Sequence, residues 1–296
     1  MRIGIDLGGT KTEAVLLDGN REAGRLRVPT PRGDYDETLR TIASLVGELD
    51  GPRGPKATVG VGIPGAISPA TGLVKNANST WLLGKPLRED LERILSRPVR
   101  LANDADCFTL SEAVDGAGKD FEVVFGVILG TGTGGGIAVG KRILSGRNAV
   151  AGEWGHNPLP WPRGKEFPGP SCYCGKRGCI ETFLSGPGLR ADHGESIEPP
   201  EIAARAERGD PRASATMERY HDRAARALAS VVNILDPDAI VLGGGMSRIP
   251  SLYEEVPRRW GKYVFSDRVE TPLLPAAHGD SSGVRGAAWQ WREEER

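Results

Sequence analysis

Four side chains are spaced as the ligands of a single metal ion: His156, Cys172, Cys174 and Cys179. Three thiolates and one imidazole complete the closed tetrahedral shell that structural zinc sites use. Because the acids Glu153 and Glu181 flank this group, we expect the metal to hold the segments that carry them rather than to act as the catalyst. The alternative is a set of buried thiols or a disulfide, which leaves one of the three clustered thiols unpaired.

Three glycine-rich turns each follow a predicted strand, and each is suited to phosphate. Glycine lets several backbone N–H groups converge on one phosphate because it has no Cβ atom. The residues concerned are Asp6, Gly8, Gly9, Thr10 and Lys11, then Thr131, Gly132, Thr133 and Gly134, and finally Gly243, Gly244 and Gly245. In the first turn, Asp6 is suited to Mg²⁺ and Lys11 to phosphate oxygens. Any single turn is equally well explained as a plain hairpin, but three of them favour a nucleotide site.

Two polar residues stand where a predicted strand meets a predicted helix. Asn103 and Asp104 follow a strand over residues 99–101, at the kind of sheet edge where open α/β sheets bind ligands. Asp104 is suited to accept the proton of an attacking hydroxyl group, as a base does in phosphoryl transfer. Helix capping by either residue is the simpler explanation when the pair is taken alone. Asp106 is predicted to complement the helix dipole from the first turn.

A further set of polar residues suits a ligand with many hydroxyl groups. Residues 75–81 are dense in donors and acceptors and include Asn78, and Glu153, His156 and Glu181 add more. Sugars need such sets because every hydroxyl group both donates and accepts hydrogen bonds. The alternative for residues 76–80 is a polar surface turn.

The composition is that of an ordinary globular chain without electrostatic bias. Of 296 residues, 39% are hydrophobic and 26% are charged, and the formal net charge is −1. This balance gives no reason to expect nucleic acid as a partner. No apolar run approaches the ~20 residues of a membrane span. Since no signal peptide is recognised and the cysteines suit a metal, we expect the protein in a reducing cytoplasm.

The elements that must position these residues form two similar halves. A strand hairpin over residues 2–17 is followed by strand and helix units, and the same organisation restarts with a hairpin over residues 122–139. Helices are predicted over residues 38–49, 87–95, 105–114, 213–235 and 283–291, and the apolar residues of 38–49 and 213–235 fall on one face. The sequence therefore predicts an α/β protein of two domains with a shared cleft.

Taken together, these motifs resemble the ROK family (repressor, open reading frame, kinase) of sugar kinases over essentially the whole chain. The segments that carry the resemblance are residues 6–11, 62–65, 103–105, 130–136, 152–156, 172–181 and 243–245. The resemblance implies an actin-like, hexokinase-type fold in which two ribonuclease-H-like domains close over ATP and a sugar. We expect residues 1–116 with 284–296 to form the smaller domain, and residues 117–283 to form the larger, with a zinc-binding segment over 152–181.

The resemblance also implies what each group does. Asp104 is expected to be the base, the first two glycine turns to hold the phosphates with Mg²⁺, and the third to lie near the adenosine. The sugar contacts carried over are Gly65, Asn103, Asp104, Glu153, His156 and Glu181, to which we add Asn78 from the polar segment. The ligands of a structural Zn²⁺ are expected to be His156, Cys172, Cys174 and Cys179. The histidine is expected to serve both zinc and sugar through its two ring nitrogens.

Within the family, residues 75–81, 152–161 and 277–285 are most similar to bacterial manno(fructo)kinases. We therefore expect ATP-dependent phosphorylation of fructose, and also of mannose, at the 6-hydroxyl group. Glucokinase and N-acetylglucosamine kinase are the alternatives, because one hydroxyl or acetyl contact decides between these sugars. A sugar-responsive repressor is a further alternative, but Ile3 already begins the first strand and leaves no room for a helix-turn-helix. The family also suggests a homodimer.

Overall fold

The first half of the chain is built on a five-stranded sheet. The computed structural model describes residues 1–51 and 57–292. The strands of this half are β1 (Arg2–Leu7), β2 (Lys11–Asp18), β3 (Arg21–Pro29), β4 (Thr58–Ile63), β5 (Ala66–Ile67), β6 (Val74–Lys75) and β7 (Val99–Asn103). Its helices are α1 (Tyr35–Asp50), α2 (Leu87–Leu95) and α3 (Asp104–Val114). The sheet order is β3-β2-β1-β4-β7, and β5 pairs with β6 in a separate small hairpin.

The second half repeats this framework around a second five-stranded sheet. Its strands are β8 (Val123–Leu129), β9 (Thr133–Val139), β10 (Arg142–Ile143), β11 (Ala239–Gly243) and β12 (Leu273–Pro275), in the order β10-β9-β8-β11-β12. Its helices are α4 (Glu181–Leu184), α5 (Gly186–His193), α6 (Pro199–Glu207), α7 (Pro211–Leu235), α8 (Leu252–Trp260) and α9 (Ser282–Trp289). Each sheet joins three antiparallel strands to two parallel ones. The duplicated organisation predicted from the sequence is therefore present.

Helices α3 and α9 lie between the two sheets and pack against each other. Helix α9 contacts β1 and β4 of the first sheet, and α3 contacts β8 and β9 of the second. Glycines permit this close approach, since a Cβ atom on Gly4 or Gly60 would overlap the backbone of α9. A Cβ atom on Gly286 would likewise overlap the carbonyl group of Cys107. The helix that follows Asn103 is thus closely packed between the two sheets.

Strand β3 is the one strand of the first sheet that the sequence analysis did not predict. Its first residues are polar or small and exposed, and only Leu26 and Val28 near its end pack against the core. The strand is held by antiparallel pairing to β2 and by ion pairs from Arg25 and Arg27 to the buried Glu13. Such cross-strand ion pairs depend on a partner strand, so the local pattern of β3 does not reveal them.

The proposed division into domains stays a prediction. Most of residues 1–116 surround the first sheet, and residues 117–283 include the whole second sheet. Residues 52–56 and 293–296 of the predicted smaller domain lie outside the described part of the chain.

Among the helices described, none combines the length and the apolar composition that a membrane crossing requires.

Candidate active site

A cleft of about 790 Å³ lies between the two halves of the chain. The predicted sugar residues that line it are Gly65, Asn78, Asn103, Asp104, Glu153, His156 and Glu181. The second glycine turn lines it too, through Thr131, Gly132, Thr133 and Gly134. Residues far apart in sequence and predicted from different motifs therefore meet in one place.

Asp104 stands at the junction between β7 and α3. Asn103 caps the helix, because its Oδ1 accepts a hydrogen bond from the Ala105 N–H at 2.9 Å, while its Nδ2 donates to the Gly65 carbonyl at 3.2 Å. Asp104 Oδ1 also accepts from the Ala105 N–H, at 2.8 Å. Asp104 is nevertheless exposed and lines the cleft. Both residues serve the helix terminus, and Asp104 keeps an edge of its carboxyl group for a ligand.

Three carboxyl groups near this junction have raised pKa values. Although Asp104 faces the open cleft, the protein around its carboxyl group desolvates it and raises its pKa. The hydrogen bond from the Ala105 N–H opposes this rise, and the negative charge of Glu153 adds to it. Burial, together with the charges of Asp104 and Glu13, raises the pKa of Asp6 to about 6. Burial, together with the charges of Asp104 and Glu153, raises the pKa of Asp106 to about 7. Raised carboxyl pKa values are typical of sites that transfer protons.

The second glycine turn is tied directly to Glu181. The Thr133 N–H donates a hydrogen bond to Glu181 Oε2 at 2.9 Å. A Cβ atom built on Gly132 would lie only 2.7 Å from the same oxygen. Trp154 fixes the other side of the turn by donating from Nε1 to the Gly134 carbonyl at 2.9 Å. The turn, the segment with Trp154 and the segment with Glu181 are therefore positioned as one unit.

The ring of His156 faces two different environments. Its Nδ1 lies 3.6 Å from Cys172 Sγ, and its Nε2 lies 3.0 Å from the hydroxyl group of Tyr173. The rings of His156 and Tyr173 meet edge to face, with centroids 5.2 Å apart. Tyr173 also lines the cleft, although the sequence analysis did not select it. Its position between two metal-ligand candidates was the signal that the sequence offered.

The four predicted metal ligands form one cluster. Each residue offers one ligand atom, and these atoms all lie within 4.8 Å of one another: His156, Cys172, Cys174 and Cys179. The sulfurs of Cys174 and Cys179 are 3.6 Å apart, close to the ~3.8 Å that a tetrahedral zinc with ~2.3 Å bonds to sulfur requires. All three cysteines carry free thiols rather than disulfides. The donor set and its geometry fit zinc.

The first glycine turn, which contains Gly8, Gly9 and Thr10, closes the hairpin between β1 and β2. The Gly8 N–H donates to the carbonyl of Lys11 at 3.0 Å, and Asp6 precedes the turn on β1. Among the described residues, those of this turn are not part of the lining of the 790 Å³ cleft. The charge of Asp104 nevertheless contributes to the raised pKa of Asp6, so the turn begins close to the base candidate.

The third glycine turn begins at the end of β11. A Cβ atom on Gly243 would overlap the ring of Phe108, and one on Gly244 would overlap the backbone of Leu129. Gly245 opens a short 3₁₀ helix, Gly245–Arg248, and lines a hollow of about 370 Å³. Gly130 and Thr131 line both this hollow and the cleft, so the two spaces are adjacent. Two of these glycines thus serve packing, and the third faces the hollow.

Comparison with known proteins agrees with this geometry. The N-acetyl-D-glucosamine kinase of Yersinia pseudotuberculosis serotype O:1b (strain IP 31758) is 40% identical over 298 residues, covering 98% of both chains. The enzyme of the same name from Escherichia coli O6:H1 is 41% identical with the same coverage. The crystal structure of the ROK hexokinase from Thermus thermophilus matches with a TM-score of 0.85 and 31% identity, over 98% of this chain and 97% of that one.

The fold and the cleft define a sugar kinase with the actin-like, hexokinase-type architecture, which confirms the predicted fold class. The ROK family glucokinase from Streptomyces griseus, solved with glucose and AMPPNP, matches with a TM-score of 0.76 and 28% identity over 97% of each chain. The sequence model of the ROK family matches residues 2–294. The chain belongs to the ROK family.

The comparisons favour a different sugar from the one expected first. The two curated relatives described above are N-acetyl-D-glucosamine kinases, which was the alternative to fructose in the sequence analysis. The expectation of fructose rested on three short segments, including residues 75–81. Since a few contacts decide between related sugars, similarity in short segments is a weak guide to the substrate.

Proposed function

We propose that the chain transfers the γ-phosphoryl group of ATP to the 6-hydroxyl group of a hexose. The position of Asp104 carries this proposal, because it lines the same cleft as the second glycine turn and the polar sugar residues. Phosphoryl transfer requires an aligned hydroxyl group, a base beside it and donors for the phosphate oxygens. The residues of this cleft are suited to all three tasks.

Asp104 is the base in the proposed reaction. Its carboxylate takes the proton of the 6-hydroxyl group as that oxygen forms a bond to the γ-phosphorus and the bond to the β-phosphate oxygen breaks. The products are a hexose 6-phosphate and ADP. The raised pKa of Asp104 makes its ionised form a better proton acceptor, which supports this assignment. Asn103 and Glu153, which line the cleft beside it, orient neighbouring hydroxyl groups.

The second glycine turn holds the phosphates. The N–H groups of Thr131 and Gly132 have no hydrogen-bond partner within the part of the chain that the structure describes, so both are available to phosphate oxygens. Asp6 has the oxygen ligands that suit Mg²⁺, which, when bound, neutralises charge on the transferring phosphoryl group. The 370 Å³ hollow beside Gly245 takes the adenosine, since it adjoins the cleft at Gly130 and Thr131 and Met246 contributes to its lining.

The cysteine cluster holds a structural zinc. Because His156 and three cysteines fill all four positions of a tetrahedron, the metal supplies order rather than an open coordination site. The segment from Cys172 to Cys179 leads directly into Glu181, and His156 follows Glu153 closely. The cluster therefore supports the two acids of the sugar site.

Among hexoses, we place N-acetyl-D-glucosamine first. Support comes from the relatives of that name, which are 40% and 41% identical over nearly the whole chain. Fructose is the second candidate, because residues 75–81, which resemble the manno(fructo)kinases, contribute Asn76, Ala77, Asn78 and Thr80 to the cleft.

A kinase assay over a panel of sugars tests the proposal. Purified protein with ATP and Mg²⁺ is offered N-acetylglucosamine, fructose, mannose and glucose, and ADP formation is followed for each. We expect the highest kcat/KM with N-acetylglucosamine and a 6-phosphate as the product. The absence of ADP formation with every sugar would overturn the kinase assignment, whereas a preference of more than about tenfold for fructose would replace the first sugar by the second.

A further inference from the structure

A second hollow, of about 350 Å³, opens beside the cleft, and the proposed phosphoryl transfer does not use it. We call this space the side hollow. Asn103 and Glu153 belong to the linings of both the side hollow and the cleft. A hexose held by these two residues therefore has the side hollow next to one of its ring substituents.

The side hollow combines an apolar surface with a few polar groups. Its apolar surface comes from both halves of the chain, through Ala66, Ile67, Ala149, Val150 and Ala151. Ser68, Ser145 and Asp106 add polar atoms, and the exposed Arg88 also contributes to the lining. A ligand group that fits must therefore have an apolar body and at least one hydrogen-bonding atom.

Asp106 is the most informative residue of this lining. The residue is only 9% exposed, and its Oδ1 atom, which is itself shielded from solvent, has no hydrogen-bond partner among the described residues. A buried carboxyl group without a partner destabilises a protein unless a ligand or water completes its hydrogen bonds. The sequence predicts that Asp106 interacts favourably with the dipole of α3. This interaction explains a negative charge at this position, but it does not provide a hydrogen-bond partner for Oδ1.

A hydrogen bond between the two halves of the chain joins the two sides of the side hollow. Lys75 Nζ donates a hydrogen bond to the backbone carbonyl of Asn148 at 2.6 Å. This contact joins the β5–β6 hairpin to the loop that carries Ala149, Val150 and Ala151. Since one water molecule takes up about 30 Å³ in the liquid, the side hollow is much larger than a single hydroxyl or acetyl group needs.

We propose that the side hollow binds an N-acyl group on the hexose and accepts acyl chains longer than acetyl. The proposal rests on the proposed function, because it needs the hexose at Asn103 and Glu153. An amide both donates through its N–H and accepts through its carbonyl, so it can pair with an ionised or a protonated Asp106. The acyl carbons then lie against Ala66, Ile67 and Ala151. The pKa of Asp106, raised by burial to about 7, means that both forms are present at neutral pH.

The test compares glucose with glucosamine carrying N-acetyl, N-propanoyl and N-butanoyl groups as phosphoryl acceptors. In the wild-type protein, we expect kcat/KM for the two longer acyl sugars to stay within about tenfold of that for N-acetylglucosamine. Ala151→Leu fills the side hollow, and it should lower kcat/KM for the butanoyl sugar by roughly tenfold or more while glucose is little affected. Ala70→Leu is the matched control, since Ala70 is exposed and outside the lining.

Two results would overturn the proposal: rejection of the butanoyl sugar by the wild type by more than about a hundredfold, or an equal loss for glucose and the acyl sugars in Ala151→Leu. Failure of the proposed function looks different, because no sugar is then phosphorylated. In that case, calorimetry decides the matter. Tighter binding of N-butanoylglucosamine to the wild type than to Ala151→Leu sustains the side hollow as a subsite, and equal or absent binding refutes it.

Discussion

The two halves of the molecule share one framework but differ in the chemistry that they carry. Both sheets have the same strand order, and in both the first hairpin closes on glycine. In the first half, the acids Asp6 and Asp104 stand at the ends of β1 and β7. In the second half, Glu153, Glu181 and the cysteine cluster lie in the long connection between β10 and β11.

This difference shows that the repeated strands hold the site in place, whereas the segments between them differ in the chemical groups that they carry. The base candidate Asp104 lies in the first half, whereas the second glycine turn and the acids Glu153 and Glu181 lie in the second half. Only the packing of α3 against the second sheet brings Asp104 to the turn that contains Gly132. Removing groups from each half in turn therefore tests whether the division of tasks is correct.

The largest effect is expected from Asp104→Asn in the first half. An amide cannot accept the hydroxyl proton, so kcat should fall by about 10²–10⁴-fold, while the affinity for nucleotide is retained. Steady-state kinetics and calorimetry with a non-hydrolysable ATP analogue measure the two quantities. Asp120→Asn, at an exposed position, is the control. A kcat near the wild-type value in Asp104→Asn would show that another group accepts the proton.

The next effect concerns the cysteine cluster of the second half. Cys179→Ser, or removal of zinc with a chelator, should lower the melting temperature by about 10 °C or more, because metal binding contributes directly to folding. The KM for sugar should also rise, since Glu181 follows the cluster. The chelator should have no further effect on Cys179→Ser. If metal-free wild-type protein melts and binds sugar as before, the cluster has no structural task.

The pH dependence of the free energy of unfolding tests whether Asp106 in the first half is buried as the structure shows. The pKa of Asp106 is raised from 3.8 to about 7, chiefly by burial, so the folded state binds this proton more tightly than the unfolded state. Its contribution is therefore most favourable at low pH and is lost as the pH rises toward 7. Between pH 5 and pH 8, the wild type should lose about 3 kcal/mol more stability than Asp106→Asn.

Urea unfolding of the ligand-free wild type and of Asp106→Asn at pH 5 and pH 8 provides this comparison. If both proteins lose the same free energy of unfolding between pH 5 and pH 8, the pKa of Asp106 is not raised and its carboxyl group is better solvated than the structure indicates.

A smaller effect is expected in the second glycine turn. In Gly132→Ala, the new Cβ atom would lie 2.7 Å from Glu181 Oε2 and would disturb the hydrogen bond from the Thr133 N–H. We expect the KM for sugar to rise by roughly tenfold, the cost of about one such hydrogen bond. Gly130→Ala adds the same methyl group with no heavy atom within 4 Å. If both variants raise the KM for sugar equally, the increase does not come from the contact between residue 132 and Glu181.

The smallest effect is expected from Tyr173→Phe. The tyrosine hydroxyl lies 3.0 Å from His156 Nε2, the nitrogen expected to contact the sugar, and so it competes with the ligand. Its removal should lower the KM for sugar by about two- to threefold, the worth of a weak exposed hydrogen bond, without changing kcat. A higher KM would instead identify the hydroxyl group as a contact to the sugar.

Much of the framework follows from local sequence patterns. The boundaries of α2 match the predicted ones, because an amphipathic segment is a local signal. The helices between Glu181 and Glu207 were not predicted, since two of them have few apolar residues and are stabilised by packing against α7 and by caps. Strand β3 was missed for a similar reason, because its partner strand determines it.

The candidate site was predicted residue by residue, but its geometry was not. The spacing of the cysteines and the Asn103–Asp104 pair were visible in the sequence, and the structure places them around one cleft. The contact between His156 and Tyr173 and the unpaired oxygen of Asp106 depend on how the halves pack. The preference between hexoses also depends on a few contacts of this kind, and it stays a proposal.

One measurement tests the central claim most directly: phosphorus NMR of the products formed from ATP with N-acetylglucosamine and with its 6-deoxy analogue. The proposed chemistry predicts a single 6-phosphate from the parent sugar, formed at least about a hundredfold more slowly by Asp104→Asn, and no phosphorylated product from the analogue. A phosphate on any other sugar oxygen, or a phosphorylated 6-deoxy sugar, would contradict it.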